Sequence, residues 1–217
     1  MNAVKRLLLV CVCLGSVISA RAAVIGPFLS EIHYDNVGAD SNEFVAVTGP
    51  AGFDWVGWQV VLYNGSDGAP YASAGVPDPA TAIGAWAEAV VAFGGIQNGP
   101  DAVALISPHG VVAEFLAYEG PVAAIDGPAA GAVARLLPVV ENGVAVGLSL
   151  QRQGSPADWD WVLASATQGL VNDGLVLERT SALPAPATWL LMLAALWGGF
   201  TRRSRVAVAD GPGVLAG

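Results

Sequence analysis

From residue 28 to 152 the chain alternates short apolar runs with clusters of Gly, Pro, Asn and Asp, at intervals of about ten residues. That rhythm predicts short strands joined by turns, over 28–34, 43–48, 57–63, 88–93, 101–106, 111–117 and 147–152. Strict alternation in "FLSEIHYDN" places Phe28, Ser30, Ile32 and Tyr34 on one face and Leu29, Glu31, His33 and Asp35 on the other. The first set is the better core face. "VGADS" then makes a polar turn and "NEFVAV" returns, so the pair is expected to form a hairpin with a loop of about five residues or more.

Two stretches compete with the all-β reading. "TAIGAWAEAVVAFGG" has helical alanine content, but Gly84 interrupts it and "AVVAF" favours an extended end. "LASATQGLVNDG" carries two glycines and reads as an irregular closing segment. No fixed-period repeat appears, which argues against solenoids and propellers. The expected body is an all-β sandwich of one domain, about 160 residues, large enough for a single core.

The N-terminus changes the picture. Lys5 and Arg6 precede an apolar run from Leu7 to Ile18, and "ARA" at 20–22 offers small residues for a signal peptidase. This predicts a secretory signal over 1–22. Its removal takes Cys11 and Cys13, the only cysteines, and leaves a chain without thiol, disulfide or Cys-bound metal. Over residues 23–183 three arginines (Arg135, Arg152, Arg179) stand against seventeen acidic residues, a formal charge of −14. Such a surface repels nucleic acid, which needs clustered Lys and Arg. An acidic, lysine-free body suits an extracellular setting and attracts divalent cations.

Several quoted motifs in order carry a family resemblance. "LSEIHYDNVGADSNEFVAVTGPAGFDWVGWQVVLYNGSDG", "GGIQNGPDAVALISPHGVVAEFLAYEG", "GPAAG", "GLSLQRQG", "WDWV" and "GLVN" together resemble the bacterial, exported branch of the lamin-tail domains over nearly all of residues 27–173. The resemblance implies an immunoglobulin-like β-sandwich. It also implies a buried Trp58, since "GW" belongs to the motif. Ala46 stands where the family's Glu-Phe-Val-Glu strand often carries its second glutamate. Members occur alone or beside extracellular hydrolases, and fold likeness alone transfers no chemistry.

Candidate chemistry is sparse. Asp35, Asn36, Asp40 and Glu43, with His33 beside them, are oxygen-rich and close along a hairpin, a composition that suits Ca²⁺. The spacing is not that of an EF-hand, and Asp and Asn are equally what a solvated turn prefers. "YNGSDG" at 63–68 reads as a turn. His33 and His109 are the only histidines, and no nucleophile motif accompanies them. Glu114 and Glu119 flank "FLAY" and read as solvent-facing strand carboxylates, although a carboxylate pair is also what a glycosidase uses. Trp55, Trp58, Trp86, Trp159 and Trp161 are many for this length; Trp159 and Trp161, alternating in "DWDW", are the candidates for stacking on sugar rings.

At the C-terminus, "LPAPATWLLMLAALWGGFTRRSR" places Pro184 and Pro186 before an apolar run and Arg202, Arg203 and Arg205 after it. Ala187 to Thr201 is about 22 Å as a helix, short of a comfortable membrane span. The order of Pro-x-Pro, apolar helix and arginines is similar to the PEP-CTERM sorting signal of Gram-negative bacteria. That similarity implies transient membrane insertion and processing by an exosortase-type enzyme. It departs from the pattern in Ala185, where the usual residue is Glu, and in twelve residues beyond Arg205.

The expected organisation is a signal peptide (1–22), a lamin-tail-like sandwich (23–177), a linker (178–188), a sorting or anchor helix (189–205) and a tail (206–217). The expected function is a non-enzymatic binding or structural protein of the outer cell surface or extracellular matrix, with polysaccharide or other surface proteins as partners. A calcium-assisted polysaccharide-binding module is the alternative, and an extracellular hydrolase the third. No resident cofactor is expected apart from that calcium.

Overall fold

A computed structural model describes residues 26–79 and 82–177. The predicted signal peptide, Pro-Ala-Pro linker and apolar C-terminal segment lie outside the described residues. Eleven strands run in chain order: β1 Phe28–His33, β2 Phe44–Pro50, β3 Gln59–Asn64, β4 Pro70–Gly75, β5 Ala82–Ile83, β6 Trp86–Ala92, β7 Asp101–Ile106, β8 Val112–Tyr118, β9 Arg135–Leu136, β10 Leu148–Gln153 and β11 Asp160–Ser165. They form a six-stranded sheet ordered β11-β10-β1-β2-β6-β5 and a five-stranded sheet ordered β4-β3-β7-β8-β9. Among the described residues there is no helix.

Leu29, Ile32, Val45, Val47, Val91 and Leu150 of the first sheet meet Val60, Leu62, Val103, Leu105 and Leu116 of the second, all buried in one cluster. The interposed residues are also buried, because both outer faces are covered. Over the second sheet, Val61, Tyr63, Ala104 and Phe115 pack under Val122, Ala124, Ala129 and Ala134 of the β8–β9 excursion. Strands covered on both sides read as continuous apolar runs instead of alternating ones.

The seven predicted strands are all present within two residues at each end, and four further strands join them. "TAIGAWAEAVVAFGG" is extended: β5 and β6 form a hairpin turned at Gly84, whose φ of 64° suits a residue without Cβ. "LASATQGLVNDG" begins as the last three residues of β11, and only its remainder is irregular.

The two faces of β1 do not follow strict alternation. A β-bulge between Leu29 and Glu31 inserts Ser30, so Leu29 and Ile32 both point into the core and Glu31 points to the outer face opposite Ala46 and Gln151. The extra residue of a bulge shifts side-chain phase by one. Trp58 also departs from expectation: it is half-buried, while Trp55 is buried.

At one end of the sandwich an ion pair joins the sheets. Arg152 of β10, 1% exposed, donates from Nη2 to Glu114 Oε1 of β8 at 2.7 Å, and Glu114 Oε2 accepts the Leu29 amide at 2.7 Å. The guanidinium carbon lies 5.2 Å from the Phe28 ring, 4.6 Å from Trp159 and 5.2 Å from Trp161. Ring faces and one carboxylate thus replace water around a charge that burial alone would expel. Glu114→Ala strips the carboxylate from this buried cation and is expected to cost about 3 kcal/mol or more. Glu114→Gln keeps an acceptor and is expected to cost about half that. Urea midpoints at unchanged m-value measure both, and a loss below about 1 kcal/mol for the alanine variant would contradict this clamp.

Candidate functional site

Polar side chains gather in three places in the described structure: the β1–β2 loop, the outer face of the first sheet and the Arg152 cage. In the first, Asn36 is buried, Asp35 half-buried, Asp40 exposed and Glu43 buried. Asn36, Asp40 and Glu43 make side-chain hydrogen bonds, while Asn36 Oδ1 is buried without a partner among the described residues. Glu43 Oε2 accepts the Ile96 amide at 2.6 Å, Asp40 reaches the Asn36 amide and Asn98 Nδ2 at 3.5 Å each, and Asn36 Nδ2 approaches His33 Nε2 at 3.3 Å.

His33 ties this loop to the β9–β10 connection. Its Nδ1 lies 3.0 Å from Glu141 Oε1, and its Nε2 lies 3.1 Å from the Ser41 carbonyl and 3.3 Å from Asn36 Nδ2. The hydrogen bond and charge of Glu141 raise His33 above its ordinary value, against the cost of burial. Burial pushes Glu141 upward, while His33 and the Tyr34 and Asp35 amides, donating to Oε2 at 2.6 and 3.1 Å, pull against it. Among the described residues, no group of three or more His, Cys, Asp or Glu side chains is gathered where it could hold a metal ion.

The outer face of the first sheet holds a buried pair of carboxylates, Glu31 at 0% exposure and Glu88 at 4%. Glu31 receives Ser149 Oγ, Gln151 Nε2 and the Thr167 amide at Oε1 and Thr167 Oγ1 at Oε2. Glu88 receives Ser30 Oγ and Thr48 Oγ1 at Oε2 and the Gly169 amide at Oε1. The segment after β11 is therefore strapped across the sheet. Asn172 Nδ2 fixes it further by donating to the Ser30 and Arg152 carbonyls at 2.6 and 3.0 Å, and Trp86 Nε1 donates to the Leu177 carbonyl.

Neither carboxylate appeared among the sequence candidates. "SEI" in β1 is the only local trace, and the partners of Glu31 lie as far as 136 residues away. The other candidates are dispersed. His109 is exposed in the β7–β8 turn, whose Gly110 amide donates to the Ser107 carbonyl. His33 sits at the far end of the sandwich, since the start of β1 adjoins the start of β8 through Leu29 and Glu114. Glu114 and Glu119 are half-buried and bonded, Glu119 to the Tyr34 hydroxyl, instead of facing solvent freely. They stand at opposite ends of β8, about 17 Å apart at strand rise, beyond the ~10 Å of a glycosidase pair.

Trp161, 1% exposed, lies in the core and offers no ring face to a sugar. Trp159 packs against Phe28 at 4.6 Å and over Arg152. Both proposed stacking residues are parts of the cation cage. Pro184, Pro186, Arg202, Arg203 and Arg205 lie outside the described residues.

Comparison with protein-family models, curated proteins and solved structures returns no significant match. Glu88 is pushed up to about 8, first by burial and then by the charge of Glu31, with Thr48, Ser30 and Gly169 pulling against both.

Because the folded value stands above the ordinary 4.5, the fold favours the protonated form. That stabilisation is complete below about 4.5 and is lost as pH climbs through about 8. His33 acts in the same direction: its contribution is full below 6.5 and fades as pH passes its raised value. Unfolding free energy is expected to fall by a few kcal/mol between about pH 5 and about pH 9. Glu88→Gln can keep its oxygen toward Gly169 and turn its amide toward the two hydroxyls. It should remove the Glu88 part of that fall, matching the parent near pH 5 and exceeding it near pH 9. Parallel profiles for the two proteins would contradict this assignment.

Proposed function

We propose that this chain is an exported, non-catalytic β-sandwich that works at the outer cell surface or in the extracellular matrix, in a binding or structural role. One observation carries the reading: the buried His, Arg and carboxyl side chains, Glu31, Glu43, Glu88, Asp101, Glu141, His33 and Arg152, each take part in a hydrogen bond to another strand or connection. Of these, Asp101 Oδ2 has no partner among the described residues. A hydrolase needs a base or nucleophile facing a cleft. Here His33 is turned into a buried ion pair and His109 stands alone on a turn.

The lamin-tail-like motifs support an immunoglobulin-like relation between the two sheets, and the acidic, cysteine-free body fits an extracellular setting. The N-terminal apolar run supports export. The Pro-Ala-Pro, apolar and arginine order supports sorting by an exosortase-type enzyme after transient membrane insertion, with delivery to the surface of a Gram-negative cell. Calcium remains the second reading only as an aid to polysaccharide binding, with Asn36 Oδ1 the buried loop oxygen that lacks a hydrogen-bond partner among the described residues.

Intact-mass analysis of the protein recovered from the native cell surface tests the reading. The expected mass lacks residues 1–22 and everything beyond about Pro186. A recovered chain still ending at Gly217 would overturn the sorting proposal.

A further inference from the structure

The second sheet ends on an open edge at β4, whose backbone directions follow from the bonds at both ends of β3. The Asn64 amide donates to the Ala69 carbonyl at 2.9 Å, and the Val76 amide donates to the Trp58 carbonyl at 2.9 Å. Even-numbered residues of β3 therefore turn their backbone groups toward β4, where Ala74 lies opposite Val60 and Ala72 opposite Leu62. Direction alternates along a strand, so the N–H and C=O groups of Ser73 and Gly75 point away from β3 and have no partner among the described residues. A bulge between Leu62 and Tyr63 interrupts the ladder, which leaves Ala72 to Gly75 as its regular stretch.

The other sheet edges are short or partly closed. β5 and β9 have two residues each, and on β11 the Ser165 carbonyl already accepts Gln151 Nε2. Edge strands are commonly blunted by a charged side chain or an internal proline. From Tyr71 to Gly75, β4 carries neither, and Ser73 and Gly75 are exposed.

Cross-strand partners share a sheet face, so Ser73 lies with Val61, and Pro70 with Tyr63, on the outer face of the second sheet. A groove of about 390 Å³ runs there between Gln59, Val61, Pro70 and Ser73 and the overlying Pro128. A strand added to β4 sets alternate side chains over that groove.

Charge selects the strand. The Ile125 amide donates to the Gly68 carbonyl at 2.9 Å, which brings exposed Asp126 and Asp67 to the start of β4. Asp78, also exposed, stands just beyond its end. The described residues hold two basic side chains, and neither offsets these: Arg135 is on β9, the opposite edge of the sheet, and Arg152 is buried. A second copy of this chain would bring the same carboxylates against one another. A strand flanked by Lys or Arg meets opposite charge at both ends.

We propose that the β4 edge takes an extended, basic peptide segment of a partner protein as an added strand. The proposal deepens the surface-binding reading above and rests on it. The partner backbone bonds Ser73 and Gly75, every second side chain covers the groove, and the flanking cations stand near Asp67, Asp126 and Asp78. Main-chain bonds supply the affinity, and the flanking charge chooses the partner.

The test titrates the nitrogen-15-labelled full-length chain with a capped heptapeptide, Arg-Val-Thr-Val-Thr-Val-Arg. Controls are the same peptide with Glu for Arg, the basic peptide with its Val and Thr amides N-methylated, and a neutral glucose hexaose. With the basic peptide the Ser73 and Gly75 amides should shift and gain protection against hydrogen exchange. The acidic peptide should bind about tenfold more weakly, and the methylated one should give no protection. Asp78→Asn and Asp126→Asn, both at exposed positions, should each raise the midpoint about threefold, the worth of one surface ion pair. The proposal is overturned by silence at Ser73 and Gly75, by equal binding of the acidic or methylated peptide, or by a response confined to β11. Protection of the two amides in a self-associated free chain, or their response to the hexaose alone, also overturns it. None of these outcomes alters the mass of the surface-recovered protein, so failure of this docking edge is distinguishable from failure of the export reading.

Discussion

Glu31 is the constraint around which the described structure is arranged. A carboxylate with 0% exposure and no cation among its partners is costly to bury. It is tolerable only where donors saturate its oxygens. The bulge at Ser30 turns the side chain away from the apolar core, β10 supplies Ser149 and Gln151, and the segment after β11 supplies Thr167 twice. Two distant parts of the chain are thereby held to one residue of β1. Glu88 beneath the same segment adds a second carboxyl that burial, and then the charge of Glu31, keeps toward the neutral form.

The two outer faces solve one problem in different ways. Over the second sheet, alanine-rich chain lies on Tyr63 and Phe115, and burial of apolar area suffices. Over the first sheet, the cover is polar and is held by directed hydrogen bonds. The apolar cover is insensitive to pH, whereas the polar one weakens as Glu88 ionises. The same economy applies at the ends: Glu141 with His33 closes one, and Arg152 with Glu114 closes the other. With its buried charge committed inward, the domain has its adaptable surface in loops, which is where binding residues are commonly carried.

Turn chemistry made much of the fold legible. Gly, Asn and Asp clusters bracket β1, β2, β3, β7 and β8 closely, and strand bounds followed from them. The missed strands lacked local propensity. β4, "PYASAG", has no β-branched residue and is extended because β3 pairs with it along its length. β11 begins with acid and ends with Ala and Ser, and the register of Trp161 opposite Arg152 fixes it. The site was less legible than the fold. A bulge leaves no mark in "FLSEIH", and a phase shift of one residue exchanged Leu29 and Ser30 between faces. Trp161 read as a surface ring because its neighbours are aspartates, whereas Arg152, nine residues upstream, draws it inward.

Native-state hydrogen exchange at the Thr167 and Gly169 amides tests most directly whether Glu31 and Glu88 hold the closing segment. Near neutral pH both amides should be protected nearly as strongly as those of β1, opening only with the sheet itself. Exchange at the rate of a free loop, with β1 still protected, would contradict the account.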